Sequence, residues 1–283
     1  MQPNPHPMSR RMFATSLVCT LASPALARTP PNAVLNIKYG RAIRQAYDVY
    51  LPDAPNNAPV IVFVHGGAWA IGDKAHKNVW RDKHRHWGAK GFIFVSVNYR
   101  MVPVADPLEQ ARDVARAIAH IQANIGKLGG DAGKIAAMGH SAGAHLVSLL
   151  AADPKFAAEQ GAAQWRGTVS LDTAAYDIED IMTSSPSRLY RNAFGQDPAL
   201  WRAASPMAQL STGTSPFFLV CSTQRRNSCK ASRTFASALA RKGGKSGILA
   251  LNKSHREIND DLGVDRAYTA AVDAFLRSVG LPA

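Results

Sequence analysis

The sequence predicts an α/β fold, with one mostly parallel sheet covered by helices on both faces. Three observations predict it. Apolar runs of strand length alternate with helical stretches almost throughout the chain. Several of those runs are continuously apolar, as expected of strands buried on both sides. A glycine-flanked pentapeptide, Gly139-His140-Ser141-Ala142-Gly143, joins one run directly to a helix.

Val34 to Tyr39 and Gln45 to Leu51 read as two strands around a turn at Gly40. Pro59 to Val64 is a β-branched and aromatic run, the first buried strand. A polar, basic helix is expected from Lys74 to Lys90, followed by a second buried strand, Phe92 to Val97. Asp106 to Asn124 places Val114, Ile118 and Ile121 at helical spacing. Lys134 to Met138 is a strand and Ala142 to Ala152 an apolar helix. Thr168 to Leu171, Phe217 to Cys221 and Ile248 to Leu251 are the later strands, with helices at Lys230 to Lys242 and Val264 to Val279. Residues 176–212 break the rhythm: they are rich in Pro, Ser and Arg, with Tyr190, Phe194 and Trp201 scattered among them. Such a segment suits a lid over the sheet and equally a wandering connection.

The 283 residues are 46% hydrophobic and 19% charged, the balance of a globular chain with room for one domain at 28–283. The formal charge of +13 invites a nucleic-acid reading, but no recognition module or long basic run supports one, and no nucleic-acid partner is expected. Residues 1–27 read as a twin-arginine export signal. Arg10-Arg11 precedes a short apolar run, and Ala25-Leu26-Ala27 supplies a cleavage site. The run is too short to span a bilayer, and no membrane span is expected. The mature chain would begin at Arg28, in the periplasm or outside the cell, and would keep two cysteines, Cys221 and Cys229. In an oxidising compartment these are expected to pair.

Four groups of residues carry chemistry. A G-x-S-x-G turn between strand and helix thrusts a serine hydroxyl out at the carboxyl end of the sheet, and Ser141 is the candidate nucleophile. The helix amino terminus behind it favours developing negative charge. His65-Gly66-Gly67-Ala68-Trp69 follows the first buried strand, where glycines let backbone N–H groups turn toward a substrate oxygen. Gly67, Ala68 and Ala142 are the candidate oxyanion donors. His255, just past the last strand, is the candidate general base. His76, His84 and His86 lack any matching ligand spacing, so neither a metal nor another cofactor is expected. The acid is the difficulty. Residues 198–256 contain no Asp or Glu, and the best-placed residue in the loop after Cys221 is Asn227. Asp172, one strand earlier, is the rival.

At these motifs the chain resembles bacterial carboxylesterases of the α/β-hydrolase superfamily, in the branch with an HGG-x-W oxyanion loop. Hormone-sensitive-lipase-like esterases, feruloyl-esterase-like enzymes and arylformamidases are its relatives. The likeness runs from about Ala58 to the carboxyl terminus. It implies Ser141 and His255 as catalytic and Gly67, Ala68 and Ala142 as the oxyanion hole. The family pattern has an aspartate where Asn227 stands. The expected function is hydrolysis of small-molecule carboxylic esters through an acyl-enzyme. An amidase or formamidase would use the same residues, and a hydrolase-like binding protein would explain a missing acid. The acyl group, the alcohol and the oligomeric state are not legible.

Overall fold

The computed structural model describes residues 1–2 and 32–283; apart from Met1 and Gln2, the expected export signal lies outside the described residues. The described strands are β1 (Ala33–Lys38), β2 (Ala46–Tyr50), β3 (Ala58–Val64), β4 (Ile93–Val97), β5 (Gly130–His140), β6 (Gly167–Leu171), β7 (Phe217–Ser222) and β8 (Ser246–Leu251). They form one sheet in the order β1-β2-β4-β3-β5-β6-β7-β8. β2 pairs antiparallel with β1 and β4, and every other pairing is parallel. The helices are α1 (Lys77–Gly88), α2 (Pro107–Asn124), α3 (Ala142–Ala152), α4 (Pro154–Glu159), α5 (Ile178–Thr183), α6 (Arg188–Phe194), α7 (Pro198–Ala203), α8 (Ser228–Arg241), α9 (His255–Asp260) and α10 (Arg266–Ser278). This is the doubly covered α/β sheet that the sequence predicts, and it is an α/β-hydrolase fold.

Strand periodicity divides the core in two. Val60, Val62 and Val64 of β3 join Ile93, Val95 and Val97 of β4 in a cluster with α2, α3 and α8. Ile61 and Phe63 turn to the other face and pack with Phe94, Met138, and Val272 and Leu276 of α10. Both faces of each central strand are therefore buried, which is why these runs carry no polar alternation. α2 begins where expected because the Asp106 carboxylate accepts the Glu109 N–H and Pro107 occupies its first turn.

The polar helix is shorter than expected. Lys74 precedes it, buried, with Nζ donating to Asp48 Oδ1 (2.6 Å) and Asn36 Oδ1 (2.8 Å). Lys83, inside α1, is also buried and lies 5.1 Å from the Phe63 ring centre. Its ammonium donates to the carbonyls of Asn78 (2.9 Å) and Asn259 (2.8 Å), tying α1 to α9. Burial pushes this lysine down to about 7, against the raising effect of Asp260 and Asp82.

Residues 176–212 fold into α5, α6 and α7, short helices packed on one another. Tyr176 anchors the segment by stacking on Phe235 of α8, with ring centres 4.6 Å apart. Among the described residues no helix is long and apolar enough to cross a membrane.

Candidate active site

The parallel strands of the central sheet end at one edge, and the candidate residues gather there. β5 ends at His140, Ser141 takes φ 55° and ψ −116°, and α3 starts at Ala142. A non-glycine residue pays steric strain in that conformation, and the surrounding structure must hold it. Close packing does so: a Cβ on Gly143 would lie 2.1 Å from the Val64 carbonyl, and one on Gly139 would lie 2.3 Å from that of Gly143. The flanking glycines let α3 start against β3, and the Ser141 N–H is fastened to Leu171 O (2.9 Å).

The loop after β3 passes directly beside this turn; a Cβ on Gly66 would sit 2.9 Å from that of Ser141. Gly67 has φ 126°, and Ala68 and Trp69 follow at 55° and 60°. Neither the Gly67 nor the Ala68 N–H has a protein acceptor among the described residues. Ala142, first in α3, has an N–H left free by helix geometry. The motif's two large residues are anchors. His65, buried, bridges Gly66 O (2.7 Å) and the Asn98 side chain (3.0 Å), and its carbonyl accepts the Tyr99 hydroxyl (3.0 Å). Trp69 donates from Nε1 to His145 Nδ1 (3.1 Å), so His145 carries its proton on Nε2 and donates to Ala204 O (2.7 Å). The loop, α3 and the end of α7 are thus bonded together.

His255 opens α9. Ser254 caps that helix, accepting the Glu257 N–H and donating its own N–H to the Glu257 carboxylate, which fixes where the imidazole starts. His255 Nε2 lies 2.9 Å from Ser141 Oγ, and Nδ1 lies 2.6 Å from Asp172 Oδ2. A carboxylate only accepts, so Nδ1 carries the proton and Nε2 faces the serine hydroxyl as acceptor.

Asp172 follows β6 with φ 52°, fully buried, its N–H donating to Val220 O (2.7 Å). Its Oδ1 accepts the Ser222 N–H (2.9 Å) and the Ser228 hydroxyl. Its Oδ2 also accepts from Arg225 Nη1 (3.0 Å). Burial raises this carboxyl, but the bonds from His255, Ser228 and Ser222 and the charge of Arg225 outweigh it. The group is held well below the ordinary carboxylate range.

The expected partnership of Asn227 with His255 is corrected by this geometry. Asn227 makes no hydrogen bond to His255 among the described residues; its carbonyl accepts the Ala231 N–H (2.9 Å) as α8 begins. The physical reason is the shape of the loop after β7. Cys221 and Cys229 form a disulfide, so α8 starts close to the strand end and Asn227 is held as its N-cap. The place beside the imidazole is taken from the same loop by Arg225, whose Nη1 lies 3.1 Å from His255 Nδ1.

Sequence reasoning missed Arg225, Ser222, Ser228 and His140. His140 donates from Nε2 to His255 O (2.9 Å); desolvation and the neighbouring His255 push it down to about 3, so it stays neutral. Only Arg225 left a signal, as a cation in a loop expected to hold an acid. A cavity of about 540 Å³ adjoins the site, between α5, α6 and α8. Asp177, Asp180, Ser187, Asn227 and Lys230 give it polar walls. Ser141 and His255 lie outside its lining, but its wall residue Tyr190 packs on Trp69, with ring centres 5.7 Å apart. Among the described residues no group of three His, Cys, Asp or Glu side chains is placed to hold a metal ion.

The chain is similar to esterase LipC of Mycobacterium tuberculosis, 32% identical over 224 residues, 70% of this chain and 55% of that protein. It is also similar to the isoprenylcysteine alpha-carbonyl methylesterase ICME of Arabidopsis thaliana, 29% identical over 261 residues, 79% and 56% of the two chains. The chain spans about half the length of the curated relatives it matches. Among solved structures, the thermophilic esterase Est2 of Thermogutta terrifontis superposes with TM-score 0.72 at 21% identity, covering 88% of this chain and 93% of that one. A truncated carbohydrate esterase from gut microbiota gives 0.75 at 16% identity, covering 88% and 96%. At these identities the likeness is one of fold. The BD-FAE family model matches residues 47–239, more than half of the sequence and the segment that holds Ser141 and Asp172, and the chain belongs to that family.

Proposed function

We propose that this protein hydrolyses carboxylic esters through an acyl-enzyme on Ser141. The observation that carries the reading is the chain of contacts Ser141 Oγ–His255 Nε2 (2.9 Å) and His255 Nδ1–Asp172 Oδ2 (2.6 Å). Ser141 Oγ attacks the ester carbonyl carbon while His255 Nε2 takes the hydroxyl proton. The carbonyl oxygen becomes an oxyanion, met by the N–H groups of Gly67, Ala68 and Ala142. His255 then passes its proton to the alkoxy oxygen, the C–O bond breaks and the alcohol leaves. Water repeats the attack on the acyl-enzyme, with its proton taken by His255 and returned to Ser141 as the acid departs. Asp172, buried and anionic, holds the productive tautomer and balances the imidazolium.

Support for an ester as substrate comes from the names of the relatives. The reading as an inactive binding protein drew on the lack of an acid in residues 198–256; Asp172 weighs against it. We also propose that the chain is exported, a reading supported by the Cys221–Cys229 pairing, since disulfides persist in oxidising compartments.

A fluorophosphonate probe should label the protein once, on Ser141, and Ser141→Ala should abolish both labelling and turnover of aryl acetates. The expected loss in kcat is on the order of 10⁶-fold. Retention of most turnover by a stably folded Ser141→Ala chain sinks the proposal, and faster turnover of matched anilides than of esters replaces it with an amidase.

A further inference from the structure

We propose that Arg225 is a positioning residue that shares Asp172 with His255, fixing the carboxylate while withholding part of its charge from the imidazole. The inference rests on the triad reading above. It starts from an unusual crowding at one oxygen. Asp172 Oδ2 accepts from His255 Nδ1 (2.6 Å) and from Arg225 Nη1 (3.0 Å), and the two nitrogens stand 3.1 Å apart. Both carry protons in the productive tautomer, so this last contact is two donors around one acceptor. Arg225 Nη1 also donates to the Asp172 carbonyl (2.8 Å), which locks the guanidinium to the backbone of the residue it contacts.

The arginine is not required to satisfy the buried carboxylate. Oδ1 has the Ser222 N–H and the Ser228 hydroxyl, and Oδ2 has His255. What Arg225 adds is a fixed positive charge. Its side chain is 35% exposed and that of Asp172 is fully buried, so solvent screens the cation in part but leaves the carboxylate dependent on its neighbours. Consequences follow for the base. When His255 takes up a proton it must face a cation across 3.1 Å and share with it the carboxylate of Asp172.

Among the described residues no other group facing His255 offsets this. From the turn after β5 come Ser141, uncharged, and His140, held neutral, with ring centres of the two histidines 4.5 Å apart. Below them Lys83 of α1 donates to the carbonyl of Asn259 in α9. On its own element, Glu257 is turned to the Ser254 N–H (2.7 Å) and Arg256 to Asp260 (2.9 Å). Lys253, just before α9, pairs with Asp261 and Asp265. Arg225 and Asp172 are the charged pair in contact with the imidazole, and they act in opposite directions. The expected result is an enzyme that stays active at lower pH than Asp172 alone would permit.

The test is the pH profile of kcat/KM with p-nitrophenyl acetate for the unchanged protein, Arg225→Gln and Arg225→Lys. Loss of the cation should move the acid limb up by roughly one pH unit. Plateau kcat should fall by up to about tenfold as the carboxylate gains freedom. Lysine, which keeps the charge, should hold the limb near its original place. Arg225→Met, which keeps an apolar stem, provides the same reading if the glutamine chain folds poorly. An acid limb that coincides in all the chains overturns the proposal whatever happens to kcat, as does an equal shift in the lysine variant. Failure of the triad reading looks different: Ser141→Ala would then keep its turnover, and the probe would label another residue.

Discussion

Two halves of the same sheet edge are built in different ways. The turns at His65–Trp69 and Gly139–Gly143 are each a single short run of sequence and are built largely from backbone: positive φ angles, N–H groups without acceptors among the described residues, and glycines where a Cβ has no room. The other half works through side chains from three separated loops, with Asp172 after β6, Arg225 after β7 and His255 at the start of α9. The loops after β6 and β7 make the sharper contrast. They leave neighbouring strands, and one carries the acid where the other carries a cation. An acid after β7 is what the family pattern leads one to expect, yet an acid one strand away meets the same imidazole.

That contrast can be broken most directly at the carboxylate. Asp172→Asn should lower kcat by about 10⁴-fold, because an amide neither balances the imidazolium nor enforces the tautomer. Asn227→Asp should change the rate little, since the disulfide-bounded turn keeps residue 227 at the N-cap of α8, away from the imidazole. Steady-state rates of the two variants check this, and an Asn227→Asp faster by an order of magnitude or an active Asp172→Asn would reverse the roles of the loops. The same carboxylate sets a pH dependence of stability. Its folded value is depressed, so it stabilises the fold above the ordinary carboxylate range and that contribution is lost as pH falls toward the folded value. Asp172→Asn should flatten the acid side of a melting-temperature profile.

The backbone half is tested at Gly67. An added Cβ would lie 2.0 Å from the Ile71 carbonyl, at a φ of 126° that side chains rarely adopt. Gly67→Ala should displace an oxyanion donor and cost on the order of 10²-fold in kcat, with substrate affinity less affected. An unchanged kcat would remove Gly67 from the oxyanion hole.

The smallest effect concerns the loop after β7. Replacing both Cys221 and Cys229 by serine opens a bridge across eight positions. The chain-entropy account predicts a loss of roughly 2–3 kcal/mol, measurable by denaturant unfolding. Because Ser228 donates to Asp172 beside that bridge, kcat should fall as well. A stability loss with no change in rate would separate the bridge from the site.

Much of this was legible in the residues. Continuous apolar runs at Pro59–Val64 and Phe92–Val97 announce strands covered on both faces, and their alternate side chains do enter two cores. The pentapeptide around Ser141 and the glycines after His65 are local signals, because a tight turn needs small residues next to one another. His255 was legible from its place after the last strand and is brought to the serine. Lys83 and Lys74 were not legible as buried groups, since a lysine in a polar stretch looks solvated until the carbonyls and carboxylates that receive it are known.

The acid marks the boundary between the two kinds of information. The sequence by itself determined the strand–helix alternation, the glycine-flanked turn at Ser141 and the glycine loop after His65, all set by propensity, periodicity and sterics over a few neighbouring residues. For the acid it favoured Asn227 over Asp172, because Asn227 follows the strand that carries the acid in the family pattern, and that preference is the one the geometry overturns. Only the tertiary structure places Asp172 beside the imidazole, because that depends on distances between residues 172, 225 and 255, which strand order and the Cys221–Cys229 bridge control. Side-chain chemistry says what a residue can do, and the arrangement of β6 beside β7 says which residue is near enough to do it.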